Sequence, residues 1–180
     1  MAGTHKNKRN LVSFVIALVV GVVIGTLVQT QLNLLALQEL GVQIDAKARL
    51  SATIHDLGSF APVYGILFGV SFLVSQMTAA GLARLVGPGS RIPLFALAGG
   101  AGLWVAFATV NALLPMPTLI AATRTTGGLF AMLLTAAFAG WLFARLTERR
   151  RAATGGFSVP VVSISFLAVG LVWHSGPAEA

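Results

Sequence analysis

The chain has 180 residues, of which 56% are hydrophobic and 9% charged, and its mean hydropathy is +0.87. A soluble domain carries about 25% charged residues, so this composition excludes a water-soluble globule and predicts an integral membrane protein. The net charge is +7. Because the basic residues flank apolar blocks, we expect them to set the orientation of the chain in the membrane and to contact anionic lipid head groups, and not nucleic acid.

The first apolar block begins after a basic N-terminal segment, residues 1–10. Residues 11–28 carry no charge, and helix 1 is predicted over about residues 11–32. A basic start and an apolar middle also occur in secretory signal peptides, whose apolar region has about 7–15 residues. The longer run here, with no small-x-small cleavage pattern after it, favours an uncleaved transmembrane helix.

Residues 33–59 form the longest polar stretch and are predicted to lie outside the membrane. Within this stretch, Leu50, Ile54 and Leu57 are spaced i, i+4 and i+7, which places them on one face of a helix. This spacing predicts a short amphipathic helix that lies at the membrane surface.

Three further apolar blocks predict helices over about residues 60–82, 92–114 and 127–146. Pro62 is expected in the first turn of helix 2, where its missing N–H costs little. Pro115 ends helix 3, since it cannot continue the hydrogen-bond ladder. The predicted fold class is therefore all-α, a polytopic transmembrane helical bundle with four core helices.

The remaining part of the chain, residues 147–180, joins a basic segment to an apolar tail. Residues 157–173 carry no charge, but this run is near the lower length limit for a membrane span. The tail predicts either a short fifth helix or a segment that rests at the membrane interface. The two alternatives differ in the side of the membrane that holds the C-terminus.

The distribution of Lys and Arg predicts the orientation, because cytoplasmic loops carry the excess. Nine of the 12 basic residues lie in the N-terminal segment, the helix 2–3 loop and the segment after helix 4, and three lie on the opposite side. The N-terminus is therefore predicted in the cytoplasm. In a bacterium this places the protein in the inner (plasma) membrane, with residues 33–59 in the periplasm.

Small residues recur at four-residue spacing in every predicted helix. Lipid is as apolar as Leu, so helices associate in a bilayer through close packing at small residues and not through burial of large apolar side chains. These stripes predict a compact bundle, although they would equally serve contacts in a homo-oligomer. The glycines selected for helix packing are Gly21, Gly25, Gly65, Gly69, Gly102 and Gly140.

No residue pattern typical of catalysis or cofactor binding occurs in the chain. There is no Cys, which excludes disulfides, iron–sulfur clusters and Cys-ligated zinc. The three His residues lie away from the centre of every predicted helix, so no pair is placed to hold a haem. We therefore predict no catalytic residue, no metal site and no cofactor. His55 and Asp56 are adjacent, and such side chains can act as a general acid and a general base, but an enzyme is not the favoured class of protein.

Polar side chains cluster at the predicted outer ends of the helices. Such groups are costly near a membrane unless they are paired or solvated. They form either a small polar site that opens outward or ordinary interfacial polarity, in which Asp56 pairs with Arg124 and ties helix 4 to helix 2. The members of this outer polar cluster are Gln29, Gln31, Asn33, His55, Asp56, Asn111 and Arg124.

Three stretches near these positions carry a resemblance: LVQTQLN at residues 27–33, HDLGSFAPVY at 55–64 and NALLPMP at 111–117. They are similar to motifs of small, uncharacterised inner-membrane proteins of proteobacteria. The resemblance covers about residues 11–146 and implies a four-helix bundle in a bacterial inner membrane. It brings no known activity, so it implies no catalytic residue.

These features favour an accessory, assembly or structural component of the membrane that acts through helix contacts. The alternative is a transporter or channel for a small solute with an outward-facing polar site. A water-filled cavity at the midplane would favour transport, whereas a solid bundle with an apolar outer groove would favour the accessory role. The expected partners are membrane lipids, including anionic lipids on the cytoplasmic side, and a membrane protein or a second copy of the chain. No nucleic acid is expected.

Overall fold

A computed structural model describes residues 2–86, 88–113 and 121–152 of the chain. These residues form four α-helices and no strand, which confirms the predicted all-α bundle. The helices are α1 (Ala2–Glu39), α2 (Ala46–Val86), α3 (Arg91–Leu113) and α4 (Thr126–Ala152), with short 3-10 turns at Pro88–Ser90 and Ala121–Arg124. The possible fifth helix over residues 157–173 lies outside the described residues.

All four helices are long and apolar enough to cross a membrane. A span needs about 20 predominantly apolar residues, and each helix contains an uninterrupted stretch of that kind. The four stretches lie within Arg9–Glu39, Ala46–Val86, Arg91–Leu113 and Thr126–Glu148. The chain is therefore built as a membrane protein.

The segment between the first two spans is more helical than its polarity indicated. α1 runs to Glu39 and α2 starts at Ala46, so residues 33–59 form the tips of two long helices and contain no separate surface helix. Asp45 caps α2, because its Oδ1 accepts a hydrogen bond from the Ala48 amide at 2.7 Å. The predicted bounds of helices 1 and 2 are corrected accordingly.

The tips of α1 and α2, residues 33–59, are here called the hairpin, and they turn around Gly41. Its φ of +84° lies in the left-handed region, which glycine adopts without strain. Pro62 lies well inside α2 rather than in its first turn. Leu50, Ile54 and Leu57, which share one face of the predicted surface helix, are exposed on the α2 tip.

The hairpin extends past the ends of the other two helices. Gly102 of α3 contacts Ser75 of the antiparallel α2, so the end of α3 at Leu113 lies level with about Tyr64. From there α2 continues about 27 Å to Ala46 at 1.5 Å per residue. The bundle thus has a hairpin end and an opposite end, here called the Arg91 end, where α2 stops and α3 starts.

The helices form a closed ring in which each packs mainly against two others. α1 and α3 both pack against α2 and α4. An aromatic column on α2 faces the interior, with ring centroids 5.5 Å apart for Phe60 and Tyr64, 5.7 Å for Tyr64 and Phe68, and 5.1 Å for Phe68 and Phe72. The last three side chains are each 1% exposed, so aromatic rings fill the centre of the bundle.

The closest approach between helices joins α3 to α4. A Cβ atom at Gly140 would strike the carbonyl oxygen of Phe95, and a Cβ atom at Gly99 would strike the carbonyl oxygen of Ala136. Both obstacles are backbone atoms, which cannot rotate away. Glycine at these two positions therefore sets the distance between α3 and α4.

The other selected glycines differ in the space around them. A Cβ atom at Gly21 or Gly25 would lie 2.6 Å from the ring of Phe68 or Tyr64 respectively, and one at Gly102 would lie 2.6 Å from the Ser75 Cβ. These positions require glycine unless a neighbour moves. Gly65 and Gly69 are different, since their nearest neighbours are Val22 and Leu18 at 3.6 and 3.8 Å, which leaves room for a methyl group.

Candidate functional site

A network of polar side chains joins the two helices of the hairpin. Arg49 of α2 donates hydrogen bonds from Nη1 to Gln31 Oε1 at 2.7 Å and from Nη2 to Gln38 Oε1 at 3.1 Å. Gln31 in turn donates from Nε2 to Thr53 Oγ1 at 3.3 Å. Hydrogen bonds to a charged guanidinium are stronger than those between neutral groups. They hold the tips of α1 and α2 side by side.

A second contact lies where the hairpin meets the bundle. Thr30 Oγ1 lies 2.8 Å from Asp56 Oδ2 and 2.9 Å from the carbonyl oxygen of Thr26, so its single proton is shared between these two acceptors, of which the carboxylate is the closer. Thr30 is buried and Asp56 is half-buried, so little water competes for this bond. Gln29 and Thr26 of the same helix are also buried. A short row of buried polar residues on α1 therefore leads from the hairpin into the bundle.

The structure brings part of the predicted outer polar cluster together. Gln31 and Asp56 belong to the hairpin contacts, and Gln29 is buried beside them. The remaining members are exposed at the hairpin end; they are Asn33, His55, Asn111 and Arg124. Asp56 contacts Thr30, and the pairing of Asp56 with Arg124 stays a prediction.

The predicted outer polar cluster omits Arg49, Thr53 and Thr30, although these residues bind its members. A usable signal exists, because Gln31 and Gln38 are seven residues apart and Arg49 and Thr53 are four apart. Such spacings place each pair on one helical face. The signal becomes visible only when both helices are extended through residues 33–59.

Replacing Thr30 by Val should destabilise the protein. Val has nearly the same shape but leaves the half-buried Asp56 carboxylate without this donor, and a hydrogen bond to a charged group contributes about 1.5–3 kcal/mol. Thr30→Ser keeps the hydroxyl and serves as the control. Thermal unfolding in detergent measures both variants, and equal melting temperatures would show that the Thr30 hydroxyl contributes nothing.

A second set of polar contacts ties three helices together near the Arg91 end. Gln76 of α2 is 3% exposed, and its Nε2 donates a hydrogen bond to the carbonyl oxygen of Phe95 in α3 at 3.3 Å. The guanidinium of Arg91 lies 4.6 Å from the centre of the Phe95 ring and donates from Nη2 to Thr147 Oγ1 of α4 at 3.3 Å. The contacts around Phe95 therefore link α3 to α2 and to α4.

An apolar groove of about 660 Å³ runs along the outside of the bundle between α2 and α3. Small residues, including Ser75 and Gly102, lie deepest in it, where the two helices touch. Its walls carry exposed aliphatic side chains: Val70 and Val74 on α2, and Leu97 and Val105 on α3. The lining from Leu94 to Val110 extends about 24 Å along α3 at 1.5 Å per residue.

The groove offers no unpaired hydroxyl to a ligand. Four hydroxyl side chains line it, and each donates to a carbonyl oxygen of its own helix, three or four residues earlier. These residues are Ser71, Ser75, Thr78 and Thr109, with donor–acceptor distances of 2.8 to 3.1 Å. A molecule that fills the groove therefore meets an apolar surface.

No protein-family model, curated protein or solved structure matches the chain. The resemblance to proteobacterial inner-membrane proteins consequently stays a prediction. Among the described residues, no group of three or more His, Asp and Glu side chains is placed to hold a metal ion.

Proposed function

We propose that the protein is an accessory or assembly component of a membrane complex and that it acts by binding another transmembrane helix. The observation that carries this proposal is the apolar groove between α2 and α3, open to the surrounding lipid along most of a membrane span. Helices associate in a bilayer by close packing at small residues. The groove provides small residues for such packing, among them Ala98 and Ala101 of α3, beside the α2–α3 contact of Ser75 with Gly102.

The interior of the bundle supports this proposal over solute transport. A transporter binds its substrate near the midplane, in a cavity formed by broken helices. Here the stacked rings of Tyr64, Phe68 and Phe72 fill the interior between the hairpin and the level of Ser75, which contacts Gly102 in the middle of α3. None of the four described spans contains a charged residue near its centre. The buried polar row at Gln29 and Thr30 ends at these rings instead of leading across the membrane.

The proposed location is a bacterial inner membrane, with the N-terminus in the cytoplasm. The excess of basic residues at the Arg91 end supports this orientation. It places the hairpin in the periplasm and the Arg91 end in the cytoplasm. Anionic lipids of the cytoplasmic leaflet would then meet the basic residues.

Single cysteines should reveal the orientation, because the natural chain has none. We expect Gln43→Cys, on the exposed hairpin turn, to react with a membrane-impermeant maleimide in intact cells. Gly89→Cys, exposed before α3, should react only after the cells are broken. Labelling of Gly89→Cys and not Gln43→Cys in intact cells would reverse the orientation.

Site-specific photocrosslinking tests the proposed function. A benzophenone amino acid at Leu97, a wall of the groove, should crosslink to another membrane protein in native membranes. The same amino acid at Leu134 on α4 is a matched control, since Leu97 is 71% exposed and Leu134 69%. Crosslinks to lipid alone at both positions, or solute uptake by proteoliposomes of the pure protein, would contradict an accessory role.

A further inference from the structure

The groove between α2 and α3 begins close to the point where the described chain ends. Arg91 Nη2 donates a hydrogen bond to Thr147 Oγ1, so the start of α3 and the last turns of α4 lie at the same end of the bundle. The lining of the groove starts three residues along α3 from Arg91, at Leu94, and α4 ends at Ala152. The residues that follow therefore leave the bundle at the end where the groove begins.

The connection from α4 to the groove is long enough. Neighbouring helices lie about 8–10 Å apart, and α3 lies between α4 and the groove, so the chain must cross two such spacings. α4 also runs about 7.5 Å past Thr147, which brings the distance to at most about 21 Å. The steps from Ala152 to Val159 reach about 23 Å at about 3.3 Å each. Residues 153–158 can therefore form the connection.

The next residues match the groove in length and polarity. Residues 159–173 carry no charge and as a helix extend about 22 Å, whereas the lining of the groove extends about 24 Å along α3. Ser158 suits the N-cap of such a helix and Pro160 its first turn. A helix of this length does not cover a hydrocarbon core of about 30 Å, and contact with longer neighbouring helices accommodates that mismatch.

Small residues allow this segment to approach the groove closely. Ser163 and Gly170 are seven residues apart, two helical turns, and therefore share one face of a helix. The groove contributes the small residues Ala98 and Ala101. Helices associate in a bilayer where small residues let their backbones come close. Both surfaces thus have the residues that such packing requires.

The distribution of basic residues favours a segment that crosses the membrane. Arg149, Arg150 and Arg151 precede it, and residues 152–180 contain no Lys or Arg. Because basic residues remain on the cytoplasmic side, the crossing starts at the Arg91 end and brings no basic residue through the membrane. The segment then runs parallel to α3, and Ser175 lies on the side of the hairpin.

Other occupants of the groove compete with this segment at a disadvantage. A segment tethered by a short connection has an effective concentration in the millimolar range. A separate helix or a second copy of the chain must exceed that concentration to replace it. A single acyl chain reaches through one leaflet, about 15 Å, and fills only part of the groove.

From these observations we infer that residues 159–173 form a fifth transmembrane helix that occupies the groove between α2 and α3. This inference goes beyond the proposed function. In the free protein the groove is filled by the chain's own segment, and a helix of another protein binds there by displacing it. The segment therefore regulates access to the proposed partner site.

Cysteine pairs test this contact in the full chain, which has no natural Cys. Ala101→Cys, in the groove, is combined in turn with a cysteine at each position from 163 to 170, and the oxidised protein is analysed by mass spectrometry of linked peptides. A disulfide needs Cβ atoms about 3.5–4.5 Å apart. We therefore expect disulfides at positions three or four residues apart and none at the positions between them. Leu134→Cys, on the exposed face of α4, replaces Ala101→Cys as the control and should form none.

The side of the membrane provides a second measurement. Ser175→Cys should show the same maleimide labelling as Gln43→Cys on the hairpin. Labelling that instead matches Gly89→Cys would overturn the inference, because the segment would not cross the membrane. Labelling like that of Gln43→Cys without any disulfide to Ala101→Cys would overturn the groove as its position. Disulfides that join only two copies of the chain would also overturn it.

The outcomes separate this inference from the proposed function. If Leu97 crosslinks to another protein in native membranes but no disulfide joins Ala101→Cys to the segment, the proposed function stands and this inference fails. If the disulfides form, deletion of residues 157–180 should increase the crosslinking of Leu97 to a partner. An unchanged partner crosslink would overturn the displacement. Disulfides without a partner crosslink, even after the deletion, support the fifth helix in the groove and count against the proposed function.

Discussion

Gly140→Ala is expected to lower the stability of the bundle more than any other single added methyl group at the glycines selected from the sequence. The new Cβ would strike the carbonyl oxygen of Phe95, which is part of the α3 backbone and also accepts the hydrogen bond from Gln76. Overpacking costs about 1–3 kcal/mol, and we expect the upper part of this range because a helix must move. Thermal unfolding in detergent provides the measurement.

Gly65→Ala is the control for this substitution. It adds the same methyl group to a helix of the same bundle, but its Cβ would lie 3.6 Å from Val22, an ordinary van der Waals distance. The gain in helix propensity is the same for both variants, so their difference isolates the collision. A melting temperature for Gly140→Ala equal to that of Gly65→Ala would mean that α3 and α4 do not approach as closely as described.

Phe68→Ala should be the second severe change, with a cost of about 3–5 kcal/mol, as is usual for an aromatic residue removed from a packed core. The ring of Phe68 stacks between Tyr64 and Phe72 and covers Gly21 of α1. Its removal opens a cavity in the middle of the bundle. Unfolding by titration with a denaturing detergent would measure the loss.

A second substitution identifies the contact responsible. In the natural chain, a Cβ at Gly21 would lie 2.6 Å from Phe68 Cε1, so Gly21→Ala alone should destabilise. In the Phe68→Ala background the obstructing ring is gone and the Ala139 Cβ, 3.0 Å from the new methyl group, is the closest remaining neighbour, so Gly21→Ala should cost less. Coupling between residues in contact amounts to about 0.5–3 kcal/mol. Strictly additive effects would show that Phe68 and Gly21 do not touch.

The bounds of α3 and α4 show how much of the fold the sequence could predict. Helix 3 was expected over residues 92–114 and is found at Arg91–Leu113. Helix 4 was expected over residues 127–146 and is found at Thr126–Ala152, so its start was predicted closely and its C-terminal end was wrong, because the charged residues after the apolar block continue the helix. Pro115 follows the end of α3 by two residues, and Pro cannot continue the hydrogen-bond ladder of a helix. Local chemistry is enough in such cases.

The prediction for α1 and α2 was wrong because it took the end of each apolar block as the end of the helix. The charged and amide residues between 33 and 59 end the membrane span, but a helix needs no apolar side chains to continue outside the membrane. Hydrogen bonds such as Arg49 to Gln31 then depend on how two antiparallel helices are aligned. The spacings of Gln31 and Gln38 and of Arg49 and Thr53 show which residues share a helical face, but they do not specify that alignment. The pairing of the two faces therefore could not be derived from the sequence.

The glycines show the same limit for packing. Spacing alone selected Gly65 and Gly69, which have room for a methyl group, and left out Gly99, which touches the Ala136 backbone. A stripe of small residues shows that a helix can be approached closely. It does not show which neighbour approaches or at which residue.

The carbonyl oxygen of Phe95 has a consequence for how the bundle comes apart. This one atom accepts the Gln76 amide from α2 and is also the surface against which Gly140 of α4 rests. If α3 moves away from α2, the buried Gln76 side-chain amide loses the Phe95 carbonyl oxygen as its acceptor. If α3 rotates so that this hydrogen bond is kept, the Phe95 carbonyl oxygen moves against the backbone of α4 at Gly140. Near the Arg91 end, α2, α3 and α4 therefore separate in one cooperative step, and a force that pulls on any one of them is resisted by all three.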